Sequence, residues 1–411
     1  MNRSKVRLAF AVLVVLVIAC TCPVSGLPGV APKEPVTEEP GLQPPEFPAE
    51  TSPVPSEVPS SRESGPMGVA VRTGDGLAFY NLEGVLQNSL SLPNSEYVTE
   101  GTMILAGGFS DGIPPIIYYS FENHGQLMVK APASLYPLIN LDNMNAIVGA
   151  PGKDVFAYSR LDFSGNTEQV PSELYVGSLA APPSTPVTIL RDPDSWTLRV
   201  LALDMDGDAP VGVWYTLGAW GIGGDIVYEP RKGLFYYDLG NGTTTEWLDR
   251  SASPMALSED LEWMAYTSAG ALGGSNNGVN LRNLASGQTV RIPLAPAASE
   301  LRGAGDAVFS PDNRYVAWRE ASGWQMAETP DFHSRIRAAD LEGNLVLDLQ
   351  DSAFSGLHSS WTHVRPVAWL DEQTLLVQLG WGDTAILARL PLSDPTPVFF
   401  ANGAFVGFTY P

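Results

Sequence analysis

The 411-residue chain has only two cysteines, Cys20 and Cys22. Everything beyond residue 22 therefore lacks both disulfides and a thiol nucleophile, and apolar burial must hold the fold. The chain is long enough for a substantial core. Basic residues are scarce: 23 Lys and Arg stand against 45 Asp and Glu, a net charge of −22. Such a surface repels phosphate backbones and anionic head groups, so nucleic acid is excluded as an expected partner. Long apolar runs are also missing. The longest, Leu8 to Ile18, is about 11 residues, well short of the roughly 20 that cross a bilayer as a helix. Extended helical periodicity is absent after Met67.

The short apolar run is informative in its place. Arg3, Lys5 and Arg7 precede it, and Val17-Ile18-Ala19-Cys20 follow. A basic head, a short apolar segment and a small residue at the cut site make a secretory signal. The aliphatic–x–small–Cys ending resembles the bacterial lipoprotein signal, which implies removal of residues 1–19 and lipidation of Cys20. Competing readings are a plain signal peptide cut elsewhere and an uncleaved anchor. Two or more acyl chains on Cys20 would hold the protein to a membrane. Removing residues 1–19 takes three basic residues and no acidic one, leaving −25. The expected location is the extracytoplasmic face of a bacterial cell envelope.

Residues 20–66 follow as a tether. About a quarter of the positions from Pro23 to Pro66 are proline, and Phe47 is the lone aromatic. This composition buries no core and favours extended conformations. At about 3.1 Å per residue it could span on the order of 100 Å.

Residues 67–411 alternate β-branched and aromatic runs with Gly, Pro, Asn and Asp every 8–12 residues, the all-β pattern. The runs repeat. Val308-Phe309-Ser310-Pro311-Asp312-Asn313-Arg314-Tyr315-Val316-Ala317-Trp318 reads as strand, turn, strand. Pro presets φ in that turn and Asn tolerates φ > 0. The unit resembles the Tol-type β-propeller repeat, in which a Ser-Pro-Asp-Gly turn precedes a basic residue and an apolar-Ala-aromatic strand. Weaker copies carry Ala157 and Ala265, 108 residues apart; Ala317 follows 52 later. Trp369-Leu370-Asp371 begins a fourth, degenerate copy. A second recurrent feature is a strand ending in a tight polar turn, as at Tyr80 to Gly84, Tyr119 to Gly125, Gly177 to Leu179, Tyr237 to Gly242, Asn283 to Gly287, Asp340 to Gly343 and Arg389 to Pro391. Each reads as the outer hairpin of a four-stranded blade. Seven occurrences predict a single β-propeller of seven blades, with six the alternative because Glu96 to Asn140 is least regular. Phe405 to Tyr410 reads as an innermost strand. Met67 to Leu92 reads as a blade lacking one. Their union would close the ring and remove its open edge.

Candidate chemistry is sparse. Gly108-Phe109-Ser110-Asp111-Gly112 matches a nucleophile elbow, but Pro114 and Pro115 prevent the helix that must follow. Propeller-bearing serine peptidases, similar in the repeat region, add an α/β-hydrolase domain for which this chain has no room before Pro411. Asp204, Asp206 and Asp208 could converge on Ca²⁺, although Ala209 and Tyr215 stand where an EF-hand needs Gly and Glu. The competing reading is a solvated turn opening a blade. His358 and His363, five apart, fit no common zinc spacing. The stretch from Trp214 through Trp220 to Asp225 reads as a Gly-rich insertion. Trp214 and Trp220 would form there an aromatic platform for sugar or peptide, unless they pack between blades. Trp324 and Trp361, with Phe332 and His363, mark a second decorated rim, since repeat scaffolds keep function in irregular loops.

Two functions follow as expectations. One is a monomeric, non-enzymatic binding or scaffolding module for an envelope protein, peptide or glycan. The other is a calcium-dependent propeller hydrolase or lyase using Asp206, Asp208 and Asp225. A weaker parallel is the periplasmic Tol propeller, which serves envelope integrity but is soluble and has an extra α/β domain.

Overall fold

The computed structural model describes residues 65–91, 96–97, 116–120, 126–131, 134–140, 144–161, 171–178, 187–192, 196–219, 231–268, 278–297, 299, 301–323, 332–357 and 363–410. Cys20 and the tether lie outside them, as does the Gly108–Gly112 motif. Among the described residues no helix is long and apolar enough to cross a membrane.

Twenty-eight strands form seven antiparallel sheets of four. Blade 1 holds β1 (Gly68–Thr73), β2 (Gly76–Asn81) and β3 (Leu86–Ser91), completed by the last strand of the chain. The second sheet holds β4 (Glu96–Tyr97), β5 (Ile116–Ser120), β6 (Gln126–Ala131) and β7 (Ser134–Asn140). Blade 3 holds β8 (Met144–Gly149), β9 (Val155–Leu161), β10 (Ser172–Ser178) and β11 (Val187–Asp192). Blade 4 holds β12 (Trp196–Asp206), β13 (Ala209–Ala219), β14 (Arg231–Asp238) and β15 (Thr243–Leu248). Blade 5 holds β16 (Ala252–Leu257), β17 (Trp263–Ser268), β18 (Val279–Asn283) and β19 (Thr289–Ile292). Blade 6 holds β20 (Arg302–Phe309), β21 (Tyr315–Ser322), β22 (His333–Asp340) and β23 (Leu345–Gln350). Blade 7 holds β24 (Val364–Trp369), β25 (Thr374–Leu379), β26 (Ile386–Pro391) and β27 (Val398–Asn402). Finally β28 (Ala404–Thr409) pairs with β1.

The architecture is the single all-β propeller expected. Of the seven four-stranded sheets, six are joined as blades, the smaller of the two counts the sequence allows. Side-chain packing is described through six of them: separate apolar clusters join blade 3 to 4, 4 to 5, 5 to 6, 6 to 7, and 7 to 1. The second sheet, whose first strand has two residues, is described by its backbone pairing alone. It coincides with the segment that reads as least regular in sequence.

The repeat motif explains the blades locally. Ala157, Ala265 and Ala317 each sit in a blade's second strand and are fully buried, the small side chain letting neighbouring blades approach. In the blade-6 turn, Asn313 takes φ +54° as its position demands. The Ser310 hydroxyl donates to Asp312 at 2.6 Å and accepts the Tyr315 N–H at 2.9 Å. The blade-5 turn repeats this with Ser258 and Asp260, and Leu261 occupies the φ +58° site. The two turns are also tied together: the Asn313 carboxamide donates to Asp260 of the preceding blade. That tie gives Asn, rather than the usual Gly, a purpose at position 313.

Six of the seven predicted polar turns fall between the third and fourth strands of a sheet; Tyr119 to Gly125 instead spans the second and third strands of the second sheet. Asn81-Leu82-Glu83-Gly84 and Asp340-Leu341-Glu342-Gly343 close as one type, with glycines at φ +86° and +89°. In both, the first side chain accepts the fifth residue's N–H. Closure occurs as anticipated: β28 supplies the innermost strand of blade 1, and the Met67 N–H donates to the Thr409 carbonyl at 2.8 Å.

One buried group runs against the packing rule. The Tyr158 ring is fully buried and stacks on Tyr175 at 4.8 Å, yet its hydroxyl finds no hydrogen-bond partner among the described residues. Burial raises its pKa, with the Tyr175 and Glu173 charges adding to the effect. A phenol with a raised folded pKa leaves stability intact below its unfolded value and lowers it as pH climbs beyond about 10. Tyr158→Phe should therefore leave stability at neutral pH unchanged or slightly higher and blunt the loss above pH 10. Thermal unfolding measured from pH 7 to 11 checks both parts.

Candidate functional site

The acidic turn is a tight β-hairpin. Asp206-Gly207-Asp208-Ala209 forms the β12–β13 hairpin, with Gly207 at φ +59°. Asp204 accepts the Tyr236 hydroxyl at 2.9 Å, and Asp208 pairs with Lys153 of blade 3 at 2.7 Å. Among the described residues no group of three His, Cys, Asp or Glu side chains is placed to hold a metal ion. Asp204 and Asp208 instead serve neighbours, Asp208 linking adjacent blade turns much as Asp260 and Asn313 do.

Tyr236 reaches Asp204 across Gly212, where an added Cβ would lie 2.1 Å from the Tyr236 oxygen. We expect Gly212→Ala to displace Tyr236, break that hydrogen bond and cost about 1–3 kcal/mol by overpacking. Urea denaturation reads the loss, and Gly212→Ala in a Tyr236→Phe background should cost less.

The aromatic platform also needs correction. Trp214 lies within β13, 5 % exposed, tilted against Tyr236 at 4.9 Å and Trp247 at 5.4 Å. It fills the core between blades 4 and 5 because strand alternation turns it inward; it is not part of an insertion. Trp220, Asp225, Trp324, Trp361 and His358 lie outside the described residues. His363, at the entry to β24, stacks on Phe332 at 4.7 Å and meets Trp381 edge-on at 5.7 Å. Arg365 lies over the same indole at 4.4 Å, with its pKa pushed down to about 10 by burial.

The described residues gather their polar chemistry elsewhere, on the face that blade 6 turns toward blade 5. The register lays Ala304, Glu320, Arg335 and Gln350 in one row across the sheet, and Arg302, Ser322 and His333 in the next. Glu320 is 7 % exposed. One of its oxygens accepts Arg337 at 2.7 Å and the Trp318 indole at 3.2 Å. The other accepts the Ala295 N–H at 2.8 Å. Arg302 donates to the Ala295 carbonyl at 3.0 Å, and Arg337 to the Pro293 carbonyl at 2.8 Å. Three side chains of blade 6 thus clamp the backbone that leaves blade 5.

Arg335 pairs with Asp348 at 2.7 Å, and Arg337 approaches the same carboxylate at 3.6 Å. Asp351 begins a short 3-10 helix (Asp351–Phe354), accepting the Ser334 N–H at 3.2 Å and lying 3.2 Å from His333 Nδ1. Between these rows and the clamped segment is an open cavity of about 290 Å³. A smaller one, about 60 Å³, lies on the inner strands β16 and β20 beside Asp306. Asp306 holds φ +50° at a register shift and pairs with buried Arg319 at 2.8 Å.

The larger cavity carries no compact motif in the sequence. Its signal was there: Trp318-Arg319-Glu320 and Arg335-Ile336-Arg337 put charge into strands flanked by buried residues. Charges two apart in paired strands share a face and meet across the sheet.

No protein-family model and no curated protein sequence matches the chain. Among solved structures, a Mycobacterium tuberculosis puromycin-hydrolysing peptidase superposes with a TM-score of 0.50 at 13 % identity, over 81 % of this chain and 51 % of that one. A puromycin hydrolase gives 0.50 at 13 %, over 84 % and 54 %. TolB from Acinetobacter baumannii gives 0.40 at 12 %, over 82 % and 80 %. This chain spans about half the length of the two hydrolases. At such identities the likeness is one of fold, and the fold defines the class: a single all-β propeller.

Proposed function

We propose that this chain is a lipid-anchored, extracytoplasmic β-propeller that acts as a non-enzymatic binding module for a protein, peptide or glycan of the bacterial cell envelope. The anchor is Cys20, and the Pro-rich segment carries the propeller away from the membrane. The observation that supports binding is the cavity between blades 5 and 6. Its ionic groups are locked to one another and to the neighbouring backbone, which fixes donors and acceptors before a ligand arrives. Preorganisation of this kind lowers the entropic cost of recognition.

The test uses the purified chain immobilised through its N-terminal segment and exposed to solubilised envelope extract, with calcium or with chelator. A bound partner should be retained under both conditions and lost in Ser322→Trp, which fills the cavity mouth. Calcium should leave the thermal unfolding midpoint unchanged, since Asp204 and Asp208 are engaged with Tyr236 and Lys153. Calcium-dependent turnover of a peptide or glycan, abolished by Asp206→Ala, would establish the hydrolase or lyase reading instead.

A further inference from the structure

We propose that the cavity between blades 5 and 6 recognises a carboxylate on a compact polar ligand, an inference that rests on the binding-module reading above. The argument is an inventory of donors and acceptors. The acidic groups around the space already hold protein donors. Glu320 takes Arg337, the Trp318 indole and the Ala295 N–H on its two oxygens, and Asp351 takes the Ser334 N–H beside the His333 ring. A cationic or donor-rich ligand would compete with these donors for the same carboxylates.

The row that faces the opening is different. Arg335 is half-buried, and its bond to Asp348 uses one terminal nitrogen of the fork. A guanidinium carries five N–H donors in a plane, so a second acceptor can be engaged without breaking that pair. The Gln350 carboxamide stands directly opposite Arg335 in the register, and Ser322 lies one row further out. Ser322, Arg335 and Gln350 all line the cavity, so it offers a hydroxyl, a guanidinium and an amide to one acceptor. Carboxylates meet such a fork bidentately, with charge-assisted bonds about twice as strong as neutral ones.

A volume of about 290 Å³ equals the share of roughly ten water molecules. That admits one sugar ring or a short peptide end. The same chemistry could therefore come from an acidic sugar or from a peptide C-terminus. In a chain of net charge −22, an anion is opposed at long range, so affinity must come from the site itself.

The experiment titrates the full chain by calorimetry with galacturonate and with acetyl-dialanine, each beside its neutral counterpart, galactose and acetyl-dialanine amide. One of the two carboxylates should bind saturably, and which one identifies the source. Its neutral counterpart should bind at least tenfold more weakly. Arg335→Gln should weaken the carboxylate at least tenfold and Arg335→Lys less. Gln350→Ala, at an exposed position, should weaken it several-fold and serves if Arg335→Gln fails to fold. Equal binding of neutral and charged ligands, no binding of either carboxylate, or undiminished affinity in these variants overturns the inference. An envelope partner still lost in Ser322→Trp alongside such a result would leave the binding-module reading standing and remove this inference alone.

Discussion

Replacing Glu320 by alanine should destabilise the propeller by about 3–5 kcal/mol, the loss expected when one partner of a buried ion pair is removed. Both side chains are nearly inaccessible, 6 % exposed for Arg337 and 9 % for Glu320. The deletion takes from Arg337 its closest carboxylate, leaving Asp348 at 3.6 Å, the Pro293 carbonyl and the Trp318 ring. It also frees the Ala295 N–H, and so loosens the segment between blades 5 and 6. Three losses coincide at one residue. Chemical denaturation of wild type and variant measures the difference, and the cavity should lose its ligand in the same variant. The double replacement Glu320→Leu with Arg337→Met supplies the control. It removes both charges together and should recover most of the stability, because an apolar pair of similar volume carries no desolvation cost. A Glu320→Ala protein as stable as wild type would show that the carboxylate does not organise this junction.

The second large effect concerns closure. Deleting residues 404–411 removes β28, and with it the whole innermost ladder of blade 1. Val69 and Val71, fully buried between blades 7 and 1, would face solvent along an open edge. Unpaired edges of this kind template association, so the truncated chain should aggregate or unfold without a cooperative transition. Size-exclusion chromatography and denaturant titration report each outcome. A synthetic peptide covering 403–411, added in trans, should restore a monomeric fold by donating the missing strand. A truncated chain that remains monomeric and cooperative would place the stability of the ring elsewhere.

The sequence made the scaffold legible because repeated turns carry local constraints. The Ser-x-Asp turns, the positive-φ position at Asn313 and the Asn/Asp-to-Gly outer hairpins depend on neighbours within five residues, so they survive as readable motifs. Even closure could be read, since two incomplete blades at opposite ends imply each other. Function was less legible for a physical reason. The cavity is made where rows from four strands of blade 6 meet the exit of blade 5, and Glu320, Arg335 and Ala295 come together only through register and inter-blade packing. Acidic spacing at Asp204, Asp206 and Asp208 resembles a cation loop, but β-hairpin geometry sends Asp204 to Tyr236 and Asp208 to Lys153. Trp214 misled for a similar reason: a tryptophan near glycines reads as a surface platform until strand alternation turns it inward.

The position of β1 in its blade has a mechanical consequence. It is hydrogen-bonded along one side to β28 and along the other to β2, while the chain before it leads toward Cys20. Tension applied from that direction would load two ladders in parallel and in shear, so that many hydrogen bonds must fail at once rather than open one after another. A propeller held by its N-terminal end is thereby gripped at a strand paired along both sides.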